Sequence, residues 1–245
     1  MKKIIKNPLL ILGMGILIIA ASSATATRAA IVYQTEAERV NFSTAVFSVD
    51  LQENVDGKYV SLNDETGLQF PEIKKDDALK IGKKYTEEVK VVNNSNPDTG
   101  YSEYVRVVVR KSWFKDGKKQ TALDPSLINI ETASGWILNN DESTEEMSVY
   151  YRTSPLPCGE EVPFITAVTI KDEVTSFVTN IGTETEIRNV YKYDDESAYI
   201  QLQADAVQTH NAKDAIFAAW GVYAQFPEGV VDDGDIISIS SKAKE

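Results

Sequence analysis

The chain has 245 residues, with 25 basic against 37 acidic side chains, one histidine and one cysteine. At a formal net charge of -12 a polyanion such as DNA is repelled, and a single cysteine forms no intramolecular disulfide. The lone His210 excludes a multi-histidine zinc site, and without HExxH or GxSxG there is no zinc-protease or serine-hydrolase signature.

In chain order, the first signal is at the N-terminus. Lys2, Lys3 and Lys6 precede the apolar run PLLILGMGILIIAA (8–21), and the small-residue stretch SSATATRAA comes next. This is the three-part layout of a secretory signal peptide, and Ala24-Thr25-Ala26 places the cut near Ala26. An uncleaved anchor is the rival reading, but the run falls short of the roughly 20 residues a membrane span needs. Removing residues 1–26 leaves 219 residues and takes three lysines from the 25 basic side chains, so the mature charge is -15. A disulfide-free exported domain points to the surface of a Gram-positive bacterium, secreted or cell-surface.

Alternation dominates the mature chain. AVFSVDL (45–51) puts Ala45, Phe47, Val49 and Leu51 on one face, and YTEEVKVVN (85–93) does so with Tyr85, Val89 and Val91. YVRVVVRKSW (104–113) aligns Val105, Val107 and Val109; EVPFITAVTI (161–170) aligns Val162, Phe164, Val168 and Ile170. AYIQLQADA (198–206) aligns Ala198, Ile200, Leu202, Ala204 and Ala206. Period two with one polar face predicts half-buried antiparallel strands, and weaker runs lie near 59–70, 136–138, 147–152 and 187–193. The expected fold is all-β: an antiparallel β-sandwich with short helices, one of them near the C-terminal end of the core.

Turn chemistry separates the strands. NNSNPDTG (93–100) reads as a loop, and the Asp-Gly of KDGKK (115–119) as a hairpin turn. DPSLINI (124–130) reads as one helical turn with Asp124 as its cap and Pro125 first. The polar stretch 172–196 reads as an insertion or ragged hairpin. After Val207 the period lengthens. Asn211 is placed as an N-cap, Ala212, Ile216 and Trp220 share one helical face with Ala215 and Ala219, and Gly221 ends the helix. This helix is expected to plug one end of the sandwich, with Ile216 and Trp220 as core. Residues 230–245 read as a loose tail, in which IISIS forms a short edge strand.

Little of the remaining chemistry is specific. Cys158 lies in a Pro/Gly turn, where a plain turn residue outweighs a reactive thiol. His210, at the junction of strand and helix, is read as a capping residue. Paired acids are too common to mark a glycosidase. DDGD (232–235) lacks the spacing of an EF-hand loop and reads as a solvated run. No catalytic residue, cofactor site or metal site is assigned.

The order of segments resembles exported proteins of the TasA/camelysin type, which are processed by a SipW-like signal peptidase. The matching stretches are AAIVYQT (29–35), NFSTAVFSVDLQEN (41–54), LQFPEIKKDD (68–77) and VKVVNNSNPDTGYSEYVRVVV (89–109). They continue with LDPSLINIE, MSVYYRTSPLPCGE and IQLQADAVQTHNAKDAIFAAWG, the last being the most specific. The turn usual in the family, L-x-P-G-E, stands here as PLPCGE, and the 172–196 insertion is long.

The resemblance implies a jelly-roll-like sandwich (27–229) that serves as a subunit of extracellular or biofilm-matrix fibres and has no enzymatic role. It further implies donor-strand complementation: residues 27–38, TRAAIVYQTEAE, fill a strand position in the next subunit, with Ile31 and Tyr33 as pocket-filling side chains. The partner implied is a second copy. The membrane enters only through the signal peptide before processing. Two rivals remain open from the residues themselves. One is a monomeric surface module that binds a ligand through loops such as 93–100 and 172–196. The other is a hydrolase working with carboxylates alone.

Overall fold

The computed structural model describes residues 48–62, 67–73, 80–96, 98, 100–183, 186–191, 193, 196–230 and 234–242. The chain separates into two units, and all of these residues belong to the second, Ala45–Glu245. The expected signal peptide, residues 1–26, and the segment 27–38 lie outside the described residues.

The fold is an all-β sandwich. Its strands are β1 (Val49–Val55), β2 (Lys58–Ser61), β3 (Lys84–Asn93), β4 (Glu103–Lys115), β5 (Lys118–Gln120), β6 (Ile128–Thr132) and β7 (Trp136–Leu138). They continue as β8 (Met147–Arg152), β9 (Glu161–Ile170), β10 (Val178–Thr183), β11 (Glu186–Tyr191), β12 (Ser197–Gln208), β13 (Tyr223–Gln225) and β14 (Ser238–Ser240). One sheet runs β2-β1-β3-β9-β6, and the other runs β12-β4-β8-β7 with β5 added to β4. The chain changes sheet after β3, β5, β6 and β8, and after β9 it passes through the β10–β11 hairpin before β12 joins the second sheet. The stretch 172–196 forms a 3-10 turn (Asp172–Ser176) and the hairpin β10–β11.

Alternation and turn chemistry build these elements. Along β4, Val105, Val107 and Val109 point between the sheets, while Tyr104 and Val108 point outward. The β4–β5 turn places Asp116 and Gly117 at φ of 50° and 72°. Asp56 and Gly57 do the same between β1 and β2, at 52° and 82°. These left-handed pairs suit the right-handed twist of a hairpin. Between the sheets, Phe164 of β9 joins the two layers. It is fully buried and meets Trp136 of β7 and Tyr150 of β8 with ring centroids 4.7 and 5.4 Å away.

Two expectations are corrected. The helix α1 (Ala212–Trp220) does not plug an end of the sandwich. It lies on the outer face of the second sheet, where Ala212 and Ile216 are fully buried beside Tyr104, Val149 and Tyr151. The reason is that β4 and β8 carry apolar side chains on both faces, so the outer one also needs cover. Asn211 stands at the N-cap but makes no side-chain cap bond; its φ of 51° shows it serving the left-handed entry into the helix. Ala219 is exposed, whereas Gly221 ends the helix as read, at φ 71° with its N–H on the Phe217 carbonyl.

The looseness of the tail is the second correction, although the short strand read in IISIS is present at Ser238–Ser240. Residues 234–240 are fixed on the same outer layer, with β14 paired to β13 and Ile236 buried. The Tyr104 hydroxyl donates to the Gly234 carbonyl at 2.7 Å, and the Ile236 N–H to the Thr153 carbonyl at 2.7 Å. The single helical turn read after Asp124 is present at Pro125–Leu127, with Pro125 first and the Asp124 carboxylate accepting from the Ser126 N–H at 2.7 Å; it gives way to strand β6 from Ile128.

Candidate functional site

A sandwich has four sheet edges, and an open edge can be extended by another chain. Here β2 is four residues long and fully exposed, with Tyr59 lying under the Lys90 ammonium. β7 has three residues, and β6 has five with Glu131 held by Lys84 at 2.6 Å. The fourth edge is different. β12 runs for 12 residues, and its inner side is paired with β4 from Ser197↔Phe114 to Gln208↔Glu103.

The devices that usually blunt an edge are missing from β12. It holds no Pro, Lys or Arg, and its one charge, Asp205, is taken by Arg106 at 2.7 Å. The register also tells which backbone groups point outward. The Ile200 carbonyl accepts the N–H of Leu68 from outside the sheet at 3.0 Å. N–H and C=O of one residue point to the same side of a strand, and neighbours point to opposite sides. The outward groups are therefore those of Ala198, Ile200, Leu202, Ala204 and Ala206. Among the described residues, that Leu68 bond is the one main-chain bond this side receives.

The inward side chains along the same edge are small. Ile200 and Leu202 are buried, but Ala198, Ala204 and Ala206 are only half-buried. A strand laid against this edge would place its alternate side chains over those alanines. Ile31 and Tyr33, the two residues expected to do so, lie outside the described residues.

The other singled-out residues fall into place around this edge. Ile216 is core as expected. Trp220 is half-buried and caps the Arg106–Asp205 pair, with the guanidinium 5.3 Å from its ring centroid and the Tyr151 ring 5.4 Å away. Burial and the Glu142 carboxylate, which accepts the hydroxyl of Tyr151 at 2.6 Å, hold that phenol well above its ordinary range. His210 is exposed, and its carbonyl accepts from Gln208 at 3.1 Å. The Cys158 thiol is half-buried and donates to the Ser95 carbonyl at 3.0 Å. Among the described residues no group of three or more His, Cys, Asp or Glu is placed to hold a metal ion. Asp232 and Asp233 of the acidic run lie outside them.

Three buried carboxyl groups escaped the sequence reading. Glu53, Glu87 and Glu103 are at most 1% exposed and sit at inward positions of β1, β3 and β4. The signal was parity: Glu87 shares the phase of Tyr85 and Val89, and Glu53 that of Val49 and Leu51. Neither oxygen of Glu103 has a hydrogen-bond partner, and burial pushes this carboxyl up to about 7. It stands beside Asn93, whose amide clamps the loop after β3 by donating to the carbonyls of Tyr101 and Leu156, both at 3.0 Å.

No family model, curated protein or solved structure matches the chain.

Proposed function

We propose that the mature chain is an exported structural protein of a bacterial surface or extracellular matrix, and that its subunits join by strand addition. Residues 27–38 of one copy lie along the outer side of β12 in the next. The observation that carries this reading is the β12 edge itself: long, free of Pro and Lys, and unpaired over Leu202–Ala206 among the described residues. Main-chain hydrogen bonds would supply strength, and Ile31 and Tyr33, two residues apart, would supply register over the half-buried alanines. The order of segments that resembles TasA/camelysin-type proteins points the same way.

Electron microscopy of the purified chain 27–245 is expected to show filaments, and the chain 39–245 under the same conditions none. Equal assembly of the two chains would overturn the proposal. A groove of about 360 Å³ on the uncovered half of the second sheet's outer face favours the other reading, a monomeric ligand-binding module. Arg110, Phe114, Lys119, Tyr199 and Gln201 line it. A chain 27–245 that stays monomeric on concentration would support that module.

A further inference from the structure

Among the described residues, the one main-chain bond on the outer side of β12 comes from a segment under strain. Gly67 packs so tightly that a Cβ there would lie 2.8 Å from the Tyr199 ring and 2.9 Å from the Ile200 carbonyl oxygen. Phe70 has a φ of 51°, in the left-handed region, and directly precedes Pro71, a place where helical backbone is disfavoured. Such geometry persists only where the surroundings enforce it. Leu68 and Phe70 are anchored in the core. The Gln69 N–H donates to Glu53 Oε1 at 2.8 Å, and the Thr86 N–H to Glu72 Oε1 at 3.2 Å.

The anchor at Glu53 is half of a buried carboxyl pair. Glu53 on β1 and Glu87 on β3 are both buried on the inward face of paired strands: Glu53 lies opposite Val89, two residues from Glu87. Neither Glu53 Oε2 nor either oxygen of Glu87 has a hydrogen-bond partner. Two carboxyl groups buried side by side resist being ionised together, and burial and its acidic neighbours leave the proton on Glu87. The charged groups acting on the pair are all acidic: Glu88 from β3 and Glu72 from the segment itself. Of these, Glu88 accepts from Asn54 at 2.6 Å and Glu72 pairs with Lys83 at 3.3 Å. Lys111, the inward cation of β4, donates to the Ile128 carbonyl, and β9 brings only Ile165–Val168 to this end of β3.

We propose that Leu68–Ile73 is an autoinhibitory strap over the β12 edge and that the proton on Glu87, beside Glu53, is its latch. The strap occupies the Ile200 position that an added strand would need. Loss of the proton sets two carboxylates against each other beneath Gln69, and the strained strap leaves. The consequence for assembly rests on the strand-addition reading; the latch does not.

The sign is set by where the proton is held. Burial first, then Glu53, Glu72 and Glu88, push Glu87 up to about 9 from its ordinary 4.5. Between those values the fold binds more protons than the unfolded chain, so the latch weakens as pH rises and is lost above about 9.

Hydrogen exchange of the chain 27–245, dilute enough to stay monomeric and corrected for intrinsic rates, tests this. Protection of the Leu68 and Gln69 amides is expected to fall about tenfold per pH unit from pH 6 to pH 8 and to level off above about 9, where Glu87 is deprotonated with the strap closed or open. E87Q, which carries no titrating proton there, is expected to give a flat profile. A flat wild-type profile, or a parallel fall in E87Q, would overturn the latch, and the wild-type profile decides alone if E87Q does not fold. Strap opening without filaments at any pH would sink strand addition and leave the latch standing. Filaments that form with the strap still protected would sink the autoinhibition.

Discussion

Replacing Ala204 with proline is expected to leave the folded monomer intact and to weaken its assembly strongly. The Ala204 N–H points away from β4, because Ala204 shares the parity of Ile200, whose carbonyl faces outward. Proline at this position removes no bond of the β12–β4 ladder, and proline is tolerated on edge strands. It does remove a donor that an added strand needs, and its ring stands in that strand's path. A missing hydrogen bond is worth about 1 kcal/mol and the obstruction at least as much, so the critical concentration should rise at least about tenfold. Sedimentation of filaments gives that concentration, and circular dichroism confirms the fold. Gln203→Pro supplies the contrast. Gln203 lies opposite Val108 and its N–H faces β4, so this change is expected to destabilise the monomer itself.

The second large effect concerns the core. Phe164→Ala is expected to cost about 3–5 kcal/mol, the range for emptying a buried aromatic site. Phe164 belongs to one sheet, and the rings it touches, Trp136 and Tyr150, belong to the other. Trp136 cannot easily move into the space, since its indole N–H donates to the Pro163 carbonyl at 2.9 Å. In a domain of this size the melting temperature should fall by about 6–20 °C, read by calorimetry. A fall under about 2 °C, below the shift expected from even 1 kcal/mol, would mean that the two layers are not joined at Phe164.

Strands with clean alternation and strong turn residues were legible in the sequence. β3, β4, β9 and β12 lie within two residues of the apolar runs that predicted them, and Asp116-Gly117 turns where its chemistry requires. Elements whose pattern depends on partners were not legible. β5 is three polar residues that exist because β4 extends past β8, and β6 begins inside a run that local rules read as helical. The third layer stayed hidden for a related reason. Tyr104, Val108, Val149 and Tyr151 are apolar residues in the phase expected to be polar, and they mark a covered outer face that needs α1 and Ile236. The candidate edge was half legible. Its alternation could be read, but which side of β12 is left unpaired depends on sheet order, which a single strand does not encode. Glu53 and Glu87 were obscured because charge was assigned to the solvent face without checking parity.

The most direct measurement is hydrogen exchange at β12 in monomer and filament of the same chain. The account predicts that the amides of Leu202, Ala204 and Ala206 exchange rapidly in the monomer and become protected in the filament. Those of Gln203 and Asp205, bound to β4, should be protected in both. Filaments in which the Leu202, Ala204 and Ala206 amides exchange as fast as in the monomer would contradict it.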